Sequence, residues 1–157
     1  DLEQLKACQS LRHLLLWDND IEDVSALRCL QLETLNIGMT TAVRLDQHLR
    51  RLPASITTLG LWAFDMFHLS RLVEEKTNNH LLKNLTNLNL GSFVGLSHAD
   101  SAAIAGAAAS LKAAGFLRVT CSPGCEIFGL HFANSGVDVA YRTSHYGLFN
   151  NTLKTIQ

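Results

Sequence analysis

The sequence has no excess of charge of either sign, because 13 lysine and arginine residues stand against 14 aspartate and glutamate residues. A chain with a formal net charge of -1 exerts no general attraction on phosphate backbones or anionic lipid. Long apolar runs are also missing. The longest, around Ala102 to Ala109, is far short of the roughly 20 residues that cross a bilayer. We therefore expect neither nucleic acid binding nor membrane insertion.

Cysteine is scarce, and Cys8, Cys29, Cys121 and Cys125 have neither the spacing of a zinc ribbon nor the density of a small secreted disulfide scaffold. Thiols in a reducing compartment are the simpler interpretation, which favours a cytoplasmic location. Two Asn-x-Thr tripeptides leave an extracellular location open. Disulfides within each pair, Cys8 with Cys29 and Cys121 with Cys125, also stay open. Packing is the favoured role of the first pair, and a turn explains the loop that holds the second.

The familiar sequence patterns of catalytic sites are absent. No G-x-S-x-G, Walker loop or dinucleotide fingerprint occurs, and the seven histidines form no H-x-x-x-H pair. Cys121 and Cys125, with His131 and His145 downstream, make only a weak candidate for a metal site, since zinc ligands usually lie closer together. We predict a protein that is not an enzyme, with no catalytic residue, no metal and no cofactor.

The sequence does contain an internal repeat. Its clearest copy is L-x-x-L-x-L-x-x-N-x-I, formed by Leu11, Leu14, Leu16, Asn19 and Ile21. The same phase returns three times, with Leu32, Leu35 and Ile37, with Ile56, Leu59 and Leu61, and with Leu85, Leu88 and Leu90. First residues of successive copies are 21, 24 and 29 residues apart, within the roughly 20–29 residues of this repeat class. A weaker fifth copy is predicted with Ile127, Leu130 and Phe132, and a degenerate one near Ala113 to Val119.

These motifs resemble the leucine-rich-repeat superfamily. Asn19 to Leu27 is similar to the short internalin-like unit, and Leu90 followed by an alanine-rich segment is similar to the longer ribonuclease-inhibitor-like unit. The resemblance implies an α/β fold, a solenoid with a curved parallel sheet and with helices or helical turns on its convex side. We expect residues 1–157 to form a single domain of about five or six coils, part of a longer solenoid. Residues 113–157 would be a degenerate or capping region.

Helical spacing marks three segments between the predicted strands. They contain Leu45, Leu49 and Leu52, then Leu69, Leu72 and Val73, and finally the alanine-rich stretch from Ser101 to Leu111, with Asp100 as its N-cap. Loss of the repeat asparagine from the later copies, where Phe64 and Phe93 lie nearby, predicts a turn filled by phenylalanine.

The repeat register predicts which side chains point outward from the sheet. One outward stripe is Leu15, Asn36, Gly60, Asn89 and His131, and the next is Trp17, Gly38, Trp62, Gly91 and Ala133. Both tryptophans have the same phase, roughly 10 Å apart at about 4.8 Å per strand, and tryptophan is enriched among binding hot spots. The alternative is that they pack within the chain. The predicted partner-binding residues are His13, Leu15, Trp17, Asp18, Thr34, Asn36, Met39, Thr58, Trp62, Asn87, Asn89 and Ser92.

The expected function is that of a protein-protein interaction module that binds a partner protein on its concave face. Two alternatives stay open: a structural scaffold subunit of a large assembly, and the substrate-recruiting domain of a larger enzyme such as a ubiquitin ligase.

Overall fold

The computed structural model describes residues 2–16, 21, 23–37, 42–93, 101–123, 125–142 and 153–155, and these form an α/β fold around one sheet. The strands are β1 His13–Leu16, β2 Thr34–Ile37, β3 Thr58–Phe64, β4 Asn87–Phe93, β5 Arg118–Cys121, β6 Asp138–Arg142 and β7 Leu153–Thr155. The helices are α1 Ala42–Leu49, α2 Met66–Asn78, α3 Ser101–Ala113 and α4 Glu126–Asn134. Three short 3-10 helices are Glu3–Ala7, Ser25–Cys29 and His80–Leu82.

The strands follow one another across the sheet in the order in which they occur in the chain. Strands β1 to β6 are parallel, and β7 pairs with β6 in the antiparallel direction. Connections between parallel strands are almost always right-handed. Because every step from β1 to β6 moves in one direction, the crossovers all lie on the same face of the sheet.

The register confirms the predicted alignment of the four clear repeats. Leu14, Leu35, Leu59 and Leu88 are paired positions on adjacent strands. Backbone hydrogen bonds repeat at the same interval, since two successive amides at the start of a strand donate to one carbonyl of the preceding unit. These acceptors are Arg12, Glu33, Thr57 and Thr86, each at 2.8–3.3 Å. The units are therefore built alike although their lengths differ.

The core lies between the sheet and its crossovers. Within each strand, alternate residues point into it, because successive side chains of a strand lie on opposite faces. Leu35, Leu59 and Leu88 are completely buried, and so is Val119, which continues the row on β5. Two residues further along each strand, a second buried row contains Leu16, Ile37, Leu61, Leu90 and Cys121.

Each of the three predicted helical segments contains a helix, although Leu52, predicted in the first segment, lies beyond the end of α1. Leu45 and Leu49 are buried in α1, and Leu69 and Leu72 are buried in α2. Helix α2 begins with a reciprocal cap, in which the Asp65 carboxylate accepts from the His68 amide at 2.9 Å. The third helix, α3, is alanine-rich, in line with the high helix propensity of alanine. Its predicted N-cap, Asp100, and the repeat asparagine Asn19 lie outside the described residues.

The predicted fifth copy is wrong, because Ile127, Leu130 and Phe132 belong to α4. The buried residues of this segment, Phe128 and Phe132, are four apart, which is helical spacing. The chain instead contributes β5, which overlaps the end of the predicted degenerate copy, and then β6.

Two glycines make the turns that lead into these strands. Gly115 has φ +90° and Gly136 has φ +81°, a left-handed conformation that glycine adopts at little cost. After each glycine, the next amide donates back across the helix end, from Phe116 to Leu111 and from Val137 to Phe132, both at 3.0 Å. This is the Schellman arrangement, and it directs the chain from a helix back to the sheet.

Phe64 has the phase of the repeat asparagine and is the last residue of β3, so it lies in the strand and not in a turn. Phe64 packs edge-on against Phe128, with ring centroids 5.7 Å apart, and Phe128 stacks on Phe132 at 6.2 Å. All three are at most 1% exposed.

The four cysteines are thiols in two environments. Cys121 and Cys125 are buried, and the Cys125 thiol donates to the Gly91 carbonyl at 2.6 Å. Cys8 and Cys29 are exposed, so the prediction that they serve packing is wrong. At the second 3-10 turn, Leu27 and Leu30 supply the packing instead.

Among the described residues, no helix combines the length and apolar character needed to cross a bilayer.

Candidate functional site

The face of the sheet opposite the crossovers carries the predicted site residues. We call the positions at the start of the strands the first outer row: His13, Thr34, Thr58, Asn87, Arg118 and Asp138. Two residues further along each strand lies the second outer row: Leu15, Asn36, Gly60, Asn89, Thr120 and Ala140. Strand geometry thus sets twelve side-chain positions on one surface.

The first outer row is polar and open to solvent. His13, Arg118 and Asp138 are exposed, and the three residues between them are half-buried. Neighbouring strands hold one another's side chains: Asn87 Nδ2 donates to Thr58 Oγ1 at 3.4 Å, and Arg118 Nε donates to Asp138 Oδ2 at 2.7 Å. These contacts limit the rotamers of four of the six residues.

The second outer row is more enclosed. Asn36 is only 3% exposed, although it lies on the face opposite the crossovers. Its amide lies over Gly60 on the next strand, where an added Cβ would be 2.6 Å from Asn36 Cγ. Glycine at this position therefore makes room for the asparagine. Among the described residues, none donates a hydrogen bond to Oδ1 of Asn36.

Seven of the predicted partner-binding residues are fully described, and all seven lie on this face. They are His13, Leu15, Thr34, Asn36, Thr58, Asn87 and Asn89. The backbones of Trp62 and Ser92 lie in β3 and β4, but their side chains are outside the described part of the structure. Trp17, Asp18 and Met39 also lie outside the described residues, so the pairing of the tryptophans stays a prediction.

His131 and Ala133 do not continue the stripes, because both lie in α4. Sequence reasoning missed the residues that do, which are Arg118, Thr120, Asp138 and Ala140. A signal for β5 was present, since Phe116, Val119 and Cys121 repeat the L-x-x-L-x-L spacing with other apolar residues.

His13 is too far from the Arg118–Asp138 pair for these groups to act together in acid-base chemistry. His13 is on β1 and Arg118 on β5, four strands away, which is roughly 19 Å at about 4.8 Å per strand. Arg118 is paired with Asp138. What this surface offers is hydrogen bonding by hydroxyl and amide groups.

A groove lies among the helices, away from this face. It has a volume of about 260 Å³ between α2 and α3, and is lined by Met66, Leu69, Ser70, Val73, Ala107 and Ser110. The Ser70 hydroxyl donates to the Phe67 carbonyl and the Ser110 hydroxyl to the Gly106 carbonyl, both at 2.9 Å. Because both hydroxyls are used within their own helices, the groove is apolar.

No cluster of three or more histidine, cysteine, aspartate or glutamate side chains suited to a metal occurs in the described ranges. Comparisons with protein-family models, with curated proteins and with solved structures found no match.

Proposed function

We propose that this chain is a leucine-rich-repeat solenoid that binds a partner protein on the two outer rows of its sheet. The repeat motif supports the solenoid, together with the consecutive parallel order of β1 to β6. In such an architecture the crossovers form the convex side and the uncovered sheet forms the concave side.

The observation that carries the proposal is the polar surface of the first outer row. The crossovers lie on the opposite face, and the row presents hydroxyl and amide groups from Thr34, Thr58 and Asn87. Lysine and glutamate would suffice on a surface that is needed only for solubility. At the centres of protein interfaces, in contrast, charged residues are depleted. The neutral centre of this row favours contact with a protein.

Charge further restricts the kind of partner. The row contains no lysine and a single arginine, Arg118, which is paired with Asp138 at 2.7 Å. With a net charge of -1 over the whole chain, a phosphate backbone would gain little here. A partner surface of matching, mostly uncharged polarity is the best fit.

The rigidity of the sheet lowers the entropic cost of binding a partner. Side chains on paired strands, such as Arg118 with Asp138 at 2.7 Å, already contact each other before a partner arrives. Binding then costs less conformational entropy than it would on a mobile loop, where each immobilised side chain costs about 0.5–1.5 kcal/mol.

The test is affinity capture with the whole chain, followed by measurement of Kd for the captured protein. Thr34→Arg together with Thr58→Arg places two bulky cations in the first outer row and should weaken binding at least tenfold. Gln47→Arg together with Asn78→Arg is the matched control, because both residues are exposed on the helices. Equal binding by both double variants would refute the proposed surface.

One observation favours the alternative of a scaffold subunit. In the part of the chain that the structure describes, three large apolar side chains are more than half exposed: Phe67 at 52%, Leu117 at 55% and Leu130 at 65%. If these residues contact other subunits, the isolated chain should self-associate in sedimentation velocity, and Leu130→Gln should reduce the association. A chain that stays monomeric would argue against this reading.

A further inference from the structure

Cys8 and Cys29 occupy equivalent places in neighbouring units. Each lies five residues before the first residue of a strand, and those residues, His13 and Thr34, are paired in the register of β1 and β2. Cys8 directly follows the 3-10 helix Glu3–Ala7, and Cys29 is the last residue of Ser25–Cys29. The two cysteines are therefore related by one step of the repeat.

The 3-10 turns that carry the two cysteines lie against each other. Adjacent parallel strands are about 4.8 Å apart, and a disulfide joins Cα atoms that are about 4.4–6.8 Å apart. One step of the stack is thus compatible with the span of a disulfide. Both cysteines are exposed, so a reagent in solution reaches them, unlike the completely buried Cys121 and Cys125.

A positive charge lies beside the pair. The pKa of Lys6 is raised, first by its hydrogen bond to Glu3, against an opposing effect of burial, and also by the negative charges of Glu3 and of a Cys29 thiolate. The ammonium group of Lys6 therefore lies within electrostatic range of Cys29. Thiolates are the attacking species in thiol-disulfide exchange.

From these features we propose that Cys8 and Cys29 form a redox-active dithiol site that closes to an intramolecular disulfide. The oxidant is a low-molecular-weight disulfide. One cysteine thiolate attacks it, forming a mixed disulfide and releasing one thiol, and the second cysteine then displaces the other half. Two protein thiols are oxidised, the small disulfide is reduced to two thiols, and one sulfur-sulfur bond joins the first two units.

The test is exposure of the folded, reduced chain to oxidised glutathione, followed by alkylation in denaturant and mass spectrometry. Two cysteines should resist alkylation, and the chain should lose two hydrogen atoms without gaining glutathione. Trypsin cleaves after Lys6, Arg12, Arg28 and Arg44, so a non-reducing digest should contain peptide 7–12 linked to peptide 29–44. The closed loop should raise Tm by roughly 10 °C.

Single variants separate this site from general thiol reactivity. Cys8→Ser and Cys29→Ser should each retain one glutathione adduct and show no rise in Tm. Both substitutions affect exposed side chains, so the variants should fold. Glutathione adducts on both cysteines of the unaltered chain, disulfides between chains, or a link to Cys121 or Cys125 would each overturn the proposal.

Discussion

Replacing four consecutive residues of β4 with alanine, one at a time, should produce losses of stability that alternate. Leu88 and Leu90 are at most 1% exposed, and burial on this scale makes Leu→Ala cost about 2–5 kcal/mol. For a domain of this size, each kcal/mol lowers Tm by about 2–4 °C, so the expected drop is about 10 °C. Asn87 and Asn89 lie on the outer face, half-buried, and their replacement should cost less than about 1 kcal/mol.

Urea denaturation followed by circular dichroism measures these changes, and equal m-values would show that the same two-state transition is compared. The hydrogen bond that Asn87 donates to Thr58 is long at 3.4 Å and adds little to the cost. If Asn87→Ala were as damaging as Leu88→Ala, the assignment of inner and outer faces would be wrong, and the outer rows would not exist as a surface.

Two further predictions concern particular contacts. Gly60→Ala should lower stability by about 1–3 kcal/mol, because the new Cβ would meet the Asn36 side chain at 2.6 Å, and adding Asn36→Ala should recover part of the loss in a double-mutant cycle. Asp65→Ala should cost about 1 kcal/mol near neutral pH by removing the cap of α2. Burial alone would raise the pKa of Asp65, but hydrogen bonds from His68 outweigh it and lower that pKa. The stabilisation is therefore present above the unfolded pKa of about 3.9 and lost as pH falls through the lower folded value, so urea titrations should show the variant and the unaltered chain converging in acid.

The repeat leucines could be predicted from sequence because their spacing alone fixes their faces. Leu14, Leu35, Leu59 and Leu88 align as expected, and the helical segments follow from a different period. The prediction of a fifth repeat in the C-terminal part was wrong because the spacing of Ile127 and Leu130 fits a helix as well as a strand. In β5, Val119 and Cys121 occupy the positions that leucines occupy in β4. A search for leucine therefore misses this strand.

Other properties depend on neighbours that are distant in sequence. The position of Asn36 in the repeat predicts an exposed side chain. Its burial depends on Gly60, 24 residues away, because the missing side chain of that glycine leaves room for the Asn36 amide. Similarly, the exposure of Cys8 and Cys29 depends on how the 3-10 turns are oriented on the core, which the repeat period does not determine.

The central claim is that the uncovered face of the sheet binds a protein, and the Kd of a captured partner tests it most directly. With Thr34→Arg and Thr58→Arg combined, the account predicts a Kd at least tenfold higher and an unchanged Tm, while Gln47→Arg with Asn78→Arg leaves Kd within about twofold. A Kd that rises only for the helix-side pair would contradict it and would place the binding surface among the crossovers.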